Sequence, residues 1–248
     1  MKIGIITAMP GETQAVVRAL PHAQKIRTGE QTMYQAQLCG HEIVVAEAGM
    51  GFDNATQAVL RLMGELRPGL MISAGFCGGI SAELQVGDAV VATGLSVVSE
   101  GGLKEVPVSI PTICRDFVSR QRDEGQRVFA GLFVSTTAIM QKGALAALLP
   151  ANAPYPVVEM ESAAIALVAV ENGIPFIGLR TVSDPFDEEL GFSLDEFCDQ
   201  RMRIRIPKVL LTVARRPRII PQLIRLARSS RLAATSLSLG MGRLLAVV

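Results

Sequence analysis

Short apolar runs alternate with segments of helical period along the first two hundred residues, and this limits the fold more than any other feature. Residues 2–8 are Ile-rich and read as a buried strand. Residues 11–20 then place Ala15, Val16 and Ala19 on one helical side. Residues 31–38 and 42–47 flank Cys39-Gly40-His41 and predict a hairpin. A helix is expected over 54–66, ended by Pro68-Gly69, and a second over 160–172, capped at Asn172-Gly173. Further strands are expected at 70–74, 86–93, 131–136 and 175–182. The Gly- and Pro-punctuated stretch 100–111 reads as a loop. Strands alternating with helices imply a mainly parallel sheet covered on both faces. The expected fold class is α/β, a single domain with a twisted mixed sheet and flanking helices.

At 248 residues the chain has enough length for one domain and an appendage. Apolar residues make up 49% of it, yet no run of about eighteen occurs, so no membrane span is expected. Met1-Lys2 leads directly into the first apolar run without a signal-peptide pattern, which predicts a cytoplasmic protein. Cys39, Cys77, Cys114 and Cys198 lie far apart and read as reduced thiols. The two histidines, His22 and His41, lack metal-ligand spacing, so neither a zinc site nor a Ser-His-Asp triad is expected. The near-neutral total hides a division of charge. From Arg201 onward there are eleven basic residues and no acidic one, which leaves a net of −10 on the first 200. Nucleic-acid binding is not indicated. The division suggests a domain over 1–200 and a basic tail over 201–248.

Two stretches carry the chemistry. Val158-Glu159-Met160-Glu161-Ser162 is an apolar run ending in two carboxylates at the mouth of a helix. Arg180-Thr181-Val182-Ser183-Asp184 is a buried strand ending in Ser-Asp. Ligands bind at the carboxyl ends of strands in such sheets. Glu161 and Asp184 are therefore expected to face one pocket, as a pair for gripping a polyol and protonating a leaving group. Taken singly, either glutamate also suits a helix N-terminus, Asp184 suits an N-cap, and Glu12 suits a solvated first turn. Gly49-Met50-Gly51 and Gly75-Phe76-Cys77-Gly78-Gly79 follow strands and match neither a dinucleotide fingerprint nor a P-loop. They read as turns, or as places where backbone amides approach a ligand.

Taken in order, Met1-Lys2-Ile3-Gly4-Ile5-Ile6, Ala8-Met9, Glu12, the two glycine stretches, Val86-Gly87-Asp88, Val158-Glu159-Met160-Glu161 and Ser183-Asp184 resemble the purine nucleoside phosphorylase/uridine phosphorylase superfamily. The branch they are most similar to is the 5′-methylthioadenosine/S-adenosylhomocysteine nucleosidases. The resemblance spans about residues 1–200. It implies that Glu161 holds the ribose hydroxyls, that Met160 lies against ribose and base, and that Glu159 belongs to the same binding segment. It implies that Asp184, oriented by Ser183, protonates the purine at N7, and that Glu12 activates water. Such an acid would stay protonated in a dry pocket. Gly75, Phe76, Ile139 and Met140 fall in the segments that contact substrate.

The chain departs from the family pattern in places. Phe76 stands where a small polar residue is usual, Ile139 where the nucleosidases often stack an aromatic ring, and Pro10-Gly11 where acidic residues precede Glu12. The implied function is hydrolysis of the N-glycosidic bond of a purine nucleoside by a homo-oligomer, with no metal or organic cofactor. The alternatives are phosphorolysis, including of a lipid-linked adenosine such as the similar hopanoid-associated phosphorylases use, and a nucleoside-binding module without turnover. In the tail, Arg225, Arg228 and Arg231 fall on one helical side, opposite Leu223, Leu226, Ala233 and Leu237. That helix would pack across the domain or a subunit partner, or rest on an anionic membrane surface.

Overall fold

Ile3, Ile5 and Ile6 are fully buried on strand β1 (Lys2–Thr7), and the rest of the sheet grows outward from them. In the computed structural model, which describes residues 1–28, 31–99, 102–187 and 206–248, β1 pairs in parallel with β4 (His41–Glu47) and with β5 (Leu70–Gly79). Helix α1 (Pro10–Arg18) follows β1. β2 (Gln24–Thr28) and β3 (Gln31–Leu38) extend the sheet beyond β4 as antiparallel strands. The hairpin turns at Cys39 and Gly40, both with positive φ. Helix α2 (Phe52–Leu66) covers one face and buries Ala55, Val59, Leu62 and Leu66, the i, i+4, i+7, i+11 stripe of an amphipathic helix.

On its other side β5 joins a closed ring. β6 (Ala89–Ser99), β7 (Gly102–Val106), helix α3 (Ile113–Asp123), β8 (Val128–Thr136), helix α4 (Lys142–Leu148), β9 (Val157–Glu159), helix α5 (Ser162–Glu171) and β10 (Phe176–Asp184) follow in sequence. The pairings run β5–β10–β6–β8–β9 and back to β5. β7 hangs on the edge of β6 as a hairpin partner.

Two expectations needed correction here. Residues 75–79 are not a turn but the last half of β5. Gly75 to Gly78 pair with Arg180 to Asp184 of β10, and Gly78 and Gly79 with β9. The glycines are there because large side chains of the facing strands cross over them. A Cβ at Gly78 would lie 2.8 Å from Asp184 Oδ2. Nor is 100–111 wholly loop, since 102–106 form β7; a five-residue edge strand holding Lys and Glu lacks the apolar alternation that signals a half-buried one.

The tail is built into the core. α6 (Ile206–Arg215), a 3-10 turn at Pro217–Ile219 and the long α7 (Ile220–Leu245) close the chain. Leu237, Met241 and Leu244 are fully buried in a cluster with Ile3, Ile5, Ile72 and Leu179, and Ala233, one turn earlier, is fully buried as well. Thr181 Oγ1 donates to Ala233 O at 3.0 Å, and Arg243 donates to Gln121 and Gln126. The packing of this helix matches one of the two readings open from sequence. Among the described residues no helix is long and apolar enough to cross a membrane.

Candidate active site

β1, β4, β5 and β10 run in one direction, so the segments after their carboxyl ends meet at one edge. Glu12 enters from α1, just past β1. It is not a solvated first-turn residue: only 2% of it is exposed. Its Oε2 accepts from the Ala8 and Met9 amides, both at 2.8 Å, the second being the N-cap of α1. Its Oε1 accepts from the Phe76 amide at 2.7 Å. Burial pushes the Glu12 carboxyl up from its ordinary value, opposed by the charge of Arg180 and by these amides.

Glu161 enters from the junction of β9 and α5. Its Oε1 accepts from the Gly51 amide at 2.8 Å. Gly51 follows β4 with φ of 94°, a backbone state that favours glycine. The first glycine stretch of the sequence thus turns an amide toward a carboxylate. Burial pushes Glu161 up to about 7, opposed by Arg180 and assisted by the like charges of Glu159 and Glu12.

Arg180 binds these acids together. It is 1% exposed. Nη2 donates to Glu159 Oε2 at 2.6 Å, Glu161 Oε2 at 3.3 Å, Ser73 Oγ at 3.1 Å and Ser162 Oγ at 3.2 Å. Nη1 donates to Phe76 O at 3.3 Å and lies 4.0 Å from Glu12 Oε1. One cation therefore serves three buried carboxylates.

Glu159 has both oxygens occupied within the chain. Oε2 accepts from the Glu161 and Ser162 amides at 3.0 and 2.7 Å, at the start of α5, and Oε1 accepts from Ser135 Oγ. Ser135 Oγ in turn accepts from the Ala163 amide at 2.9 Å. Glu159 thus caps the helix that presents Glu161, the dipole reading open from sequence.

Asp184 ends β10. Ser183 Oγ donates to Asp184 Oδ1 at 2.7 Å and lies 3.3 Å from Cys77 O. A lysine faces this acid. Lys142 Nζ sits 2.7 Å from Asp184 Oδ2, with side-chain exposures of 9% and 26% for the two. Phe76, Cys77 and Gly78 are consecutive on β5 and link this pair to the Arg180 cluster.

Gly75 lies opposite Arg180 in register, and a Cβ there would overlap Arg180 Nη1 and sit 2.5 Å from Glu12 Oε1. Phe76 is half-buried, and its ring lies over the start of α1, where a Cβ on Gly11 would come within 4.0 Å of it. Two departures from the family pattern thus face one another. Met160 is half-buried beside Glu161. Met140 packs with Val158 and Phe186 against Ile80, Val134 and Leu145, while Ile139 is 45% exposed.

Sequence reasoning gave no role to Arg180 or Lys142. A basic residue inside an otherwise apolar strand was the available signal for Arg180. For Lys142, at the head of a seven-residue helix, the sequence carried no such signal.

The chain is similar to known proteins of one superfamily. The model of the phosphorylase superfamily matches residues 2–215. The 5′-methylthioadenosine/S-adenosylhomocysteine nucleosidase of Listeria welshimeri is 30% identical over 216 residues, covering 79% of this chain and 92% of the relative. The enzyme of the same name from Exiguobacterium is 28% identical over 232 residues, covering 87% and 98%. Among solved structures, the Neisseria meningitidis nucleosidase of that name, in complex with methylthio-immucillin-A, aligns with a TM-score of 0.73 at 21% identity, covering 100% of this chain and 99% of its own. Futalosine hydrolase of Helicobacter pylori also aligns at 0.73, with 17% identity, covering 100% and 98%. At these identities the solved structures speak for the fold, and the family match together with the sequence relatives places the chain in the phosphorylase superfamily.

Proposed function

We propose that this chain cleaves the N-glycosidic bond of a purine nucleoside with water as the acceptor. The carrying observation is the placement of Glu12, a buried carboxylate whose affinity for a proton is raised, beside Glu161 at the strand ends. In this reading Glu161 and Met160 hold the ribose. Water attacks C1′ and passes a proton to Glu12. The C1′–N9 bond breaks with its electron pair going to the purine, and a proton reaches N7 from Asp184. Positive charge builds on the sugar in the transition state, and the surrounding carboxylates favour it. The sequence relatives bear the name of nucleosidases for methylthioadenosine and S-adenosylhomocysteine, so an adenosine with a 5′ thioether is the first substrate to try.

Hydrolysis is favoured over phosphorolysis by charge. The two described cations at this edge, Arg180 and Lys142, are each bound by carboxylates, and an incoming phosphate would meet Glu12. Phe76 adds bulk where a small polar residue is usual in the family. The test is release of free base from methylthioadenosine, S-adenosylhomocysteine, adenosine and inosine, with and without phosphate. Binding of a nucleoside without release would favour the binding-module reading.

A second reading concerns where the chain works. We infer that residues 1–200 carry the site while 201–248 brace it, and that the outer face of α7 meets an anionic membrane surface. The observation is the composition of that face. Ile220, Ile224, Leu232 and Leu239 are exposed there beside exposed Arg225, Arg228 and Arg231. Leu223, Leu226, Ala233 and Leu237, which the sequence set opposite the arginines, are half-buried or buried, and the exposed apolar residues are additional to them. Cosedimentation with phosphatidylserine vesicles but not with phosphatidylcholine vesicles is expected, and it should weaken in R228E/R231E. Equal recovery with both lipids, or with neither, would contradict it. Elsewhere the chain would be a cytoplasmic homo-oligomer, as the resemblance implies; a monomer by light scattering would remove that part.

A further inference from the structure

We propose that Lys142 is the source of the proton that Asp184 gives to the leaving base, and the residue that holds Asp184 in place to give it. The inference rests on the reaction proposed above. Lys142 is 7% exposed, on the first turn of α4, and aims its ammonium at the end of β10. Nζ contacts Asp184 Oδ2 at 2.7 Å and donates to Asp184 O at 3.1 Å and Pro185 O at 2.5 Å. These contacts match the three donors of an ammonium group. Asp184 Oδ1 is held separately by Ser183. The space for the pair exists because position 78 is glycine: a Cβ there would lie 2.8 Å from Asp184 Oδ2 and 3.1 Å from Lys142 Cε. The pair is thus fixed by β5, α4 and β10 together.

The geometry pairs an ammonium with a carboxylate. A carboxylate cannot protonate a purine, so the proton must come through it from elsewhere. One proton moves from Lys142 Nζ to Asp184 Oδ2 and on to N7 as the C1′–N9 pair withdraws into the base, so Asp184 begins and ends as a carboxylate. Lys142 is left as a neutral amine. The attacking water gives up one proton to Glu12, so an equal number returns to solvent and recharges Lys142. No reagent besides water is needed. Among the described residues, the other ionisable groups near the pair include Cys77 of β5, whose thiol burial pushes up, and the Glu159–Arg180 pair beyond it.

The test compares the wild type with Lys142→Met and Lys142→Gln, using methylthioadenosine, over pH 5 to 10, with folding checked by circular dichroism. Loss of the proton source should lower kcat by roughly 10²-fold, with KM changed less than about threefold, since Lys142 does not touch substrate in this account. It should also move the alkaline limb of kcat to lower pH, because Asp184 must then find its own proton. Should the Met variant fail to fold, the Gln variant, which still fills the site and can donate to Pro185 O, carries the comparison. A uniform drop in kcat with an unmoved alkaline limb would show a merely structural role and overturn the proposal, as would unchanged kinetics. A wild type that releases no base under any condition sinks the underlying reaction, and this inference with it.

Discussion

Arg180 faces Gly75 across the β10–β5 register, and its guanidinium occupies the space that a side chain at Gly75 would fill. The strand pairing, the glycine and the buried charge are thus one device. β5 stays extended through its glycines so that β10 can lay an arginine over it and gather Glu12, Glu159 and Glu161 around one cation.

Gly75→Ala tests this directly. The added methyl must displace Arg180 or Glu12, both fixed by other bonds. A loss of about 1–3 kcal/mol in chemical denaturation is expected, with a fall in turnover. Wild-type stability and activity would mean that the guanidinium has room to move.

Removing the cation should cost more. Arg180→Met leaves three buried carboxylates without their counter-charge, and breaking a buried pair in this way costs about 3–5 kcal/mol. Urea denaturation measures it. A loss below about 1 kcal/mol would mean that the acids are neutral or hydrated.

Protonation of Glu161 supplies a pH dependence. Its carboxyl is pushed up to about 7 by burial, so the folded chain holds this proton more tightly than the unfolded one. The stabilising effect is full below the unfolded value of about 4.3 and is lost as pH rises through about 7. Glu161→Gln keeps a neutral group throughout. It should therefore match the wild type near pH 4 and exceed it at pH 8 by on the order of 1–3 kcal/mol, while weakening ribose recognition. A variant less stable than the wild type at pH 8 would contradict the shift.

Leu237→Ala probes the tail. Leu237 is fully buried against the sheet, and a cavity there should cost about 2–5 kcal/mol. A thermal midpoint equal to the wild type would show that α7 does not share the core.

Much of this was legible from local pattern. The Ile-rich β1, the α2 stripe and the Ser-Asp end of β10 announce themselves within windows of a few residues. Glu161 and Asp184 could be named because each stands where an apolar run gives way to a helix or turn, whereas Glu12 gained its role only through the resemblance to the family. What escaped depends on distant partners. Residues 75–79 look like a turn because glycine usually makes one, and only β10, over a hundred residues away, shows why they are extended. Arg180 and Lys142 gain meaning from carboxylates placed by other elements. On α7 the division of arginines from Leu223, Leu226, Ala233 and Leu237 was legible, but Ile220, Ile224, Leu232 and Leu239, exposed beside the arginines, were not singled out.

Glu12→Gln addresses the nucleophile. It keeps acceptors for part of the amide cage but cannot take a proton from water. Turnover should fall by roughly 10²–10⁴-fold, with nucleoside binding retained by calorimetry. Near wild-type turnover would remove Glu12 from the chemistry.

The central claim is hydrolysis, and the direct measurement is free-base release from methylthioadenosine in phosphate-free buffer, repeated with added phosphate. This account predicts release without phosphate, ribose sugar bearing a hydroxyl at C1′, and no acceleration when phosphate is supplied. Release only with phosphate, giving a ribose 1-phosphate, would contradict it.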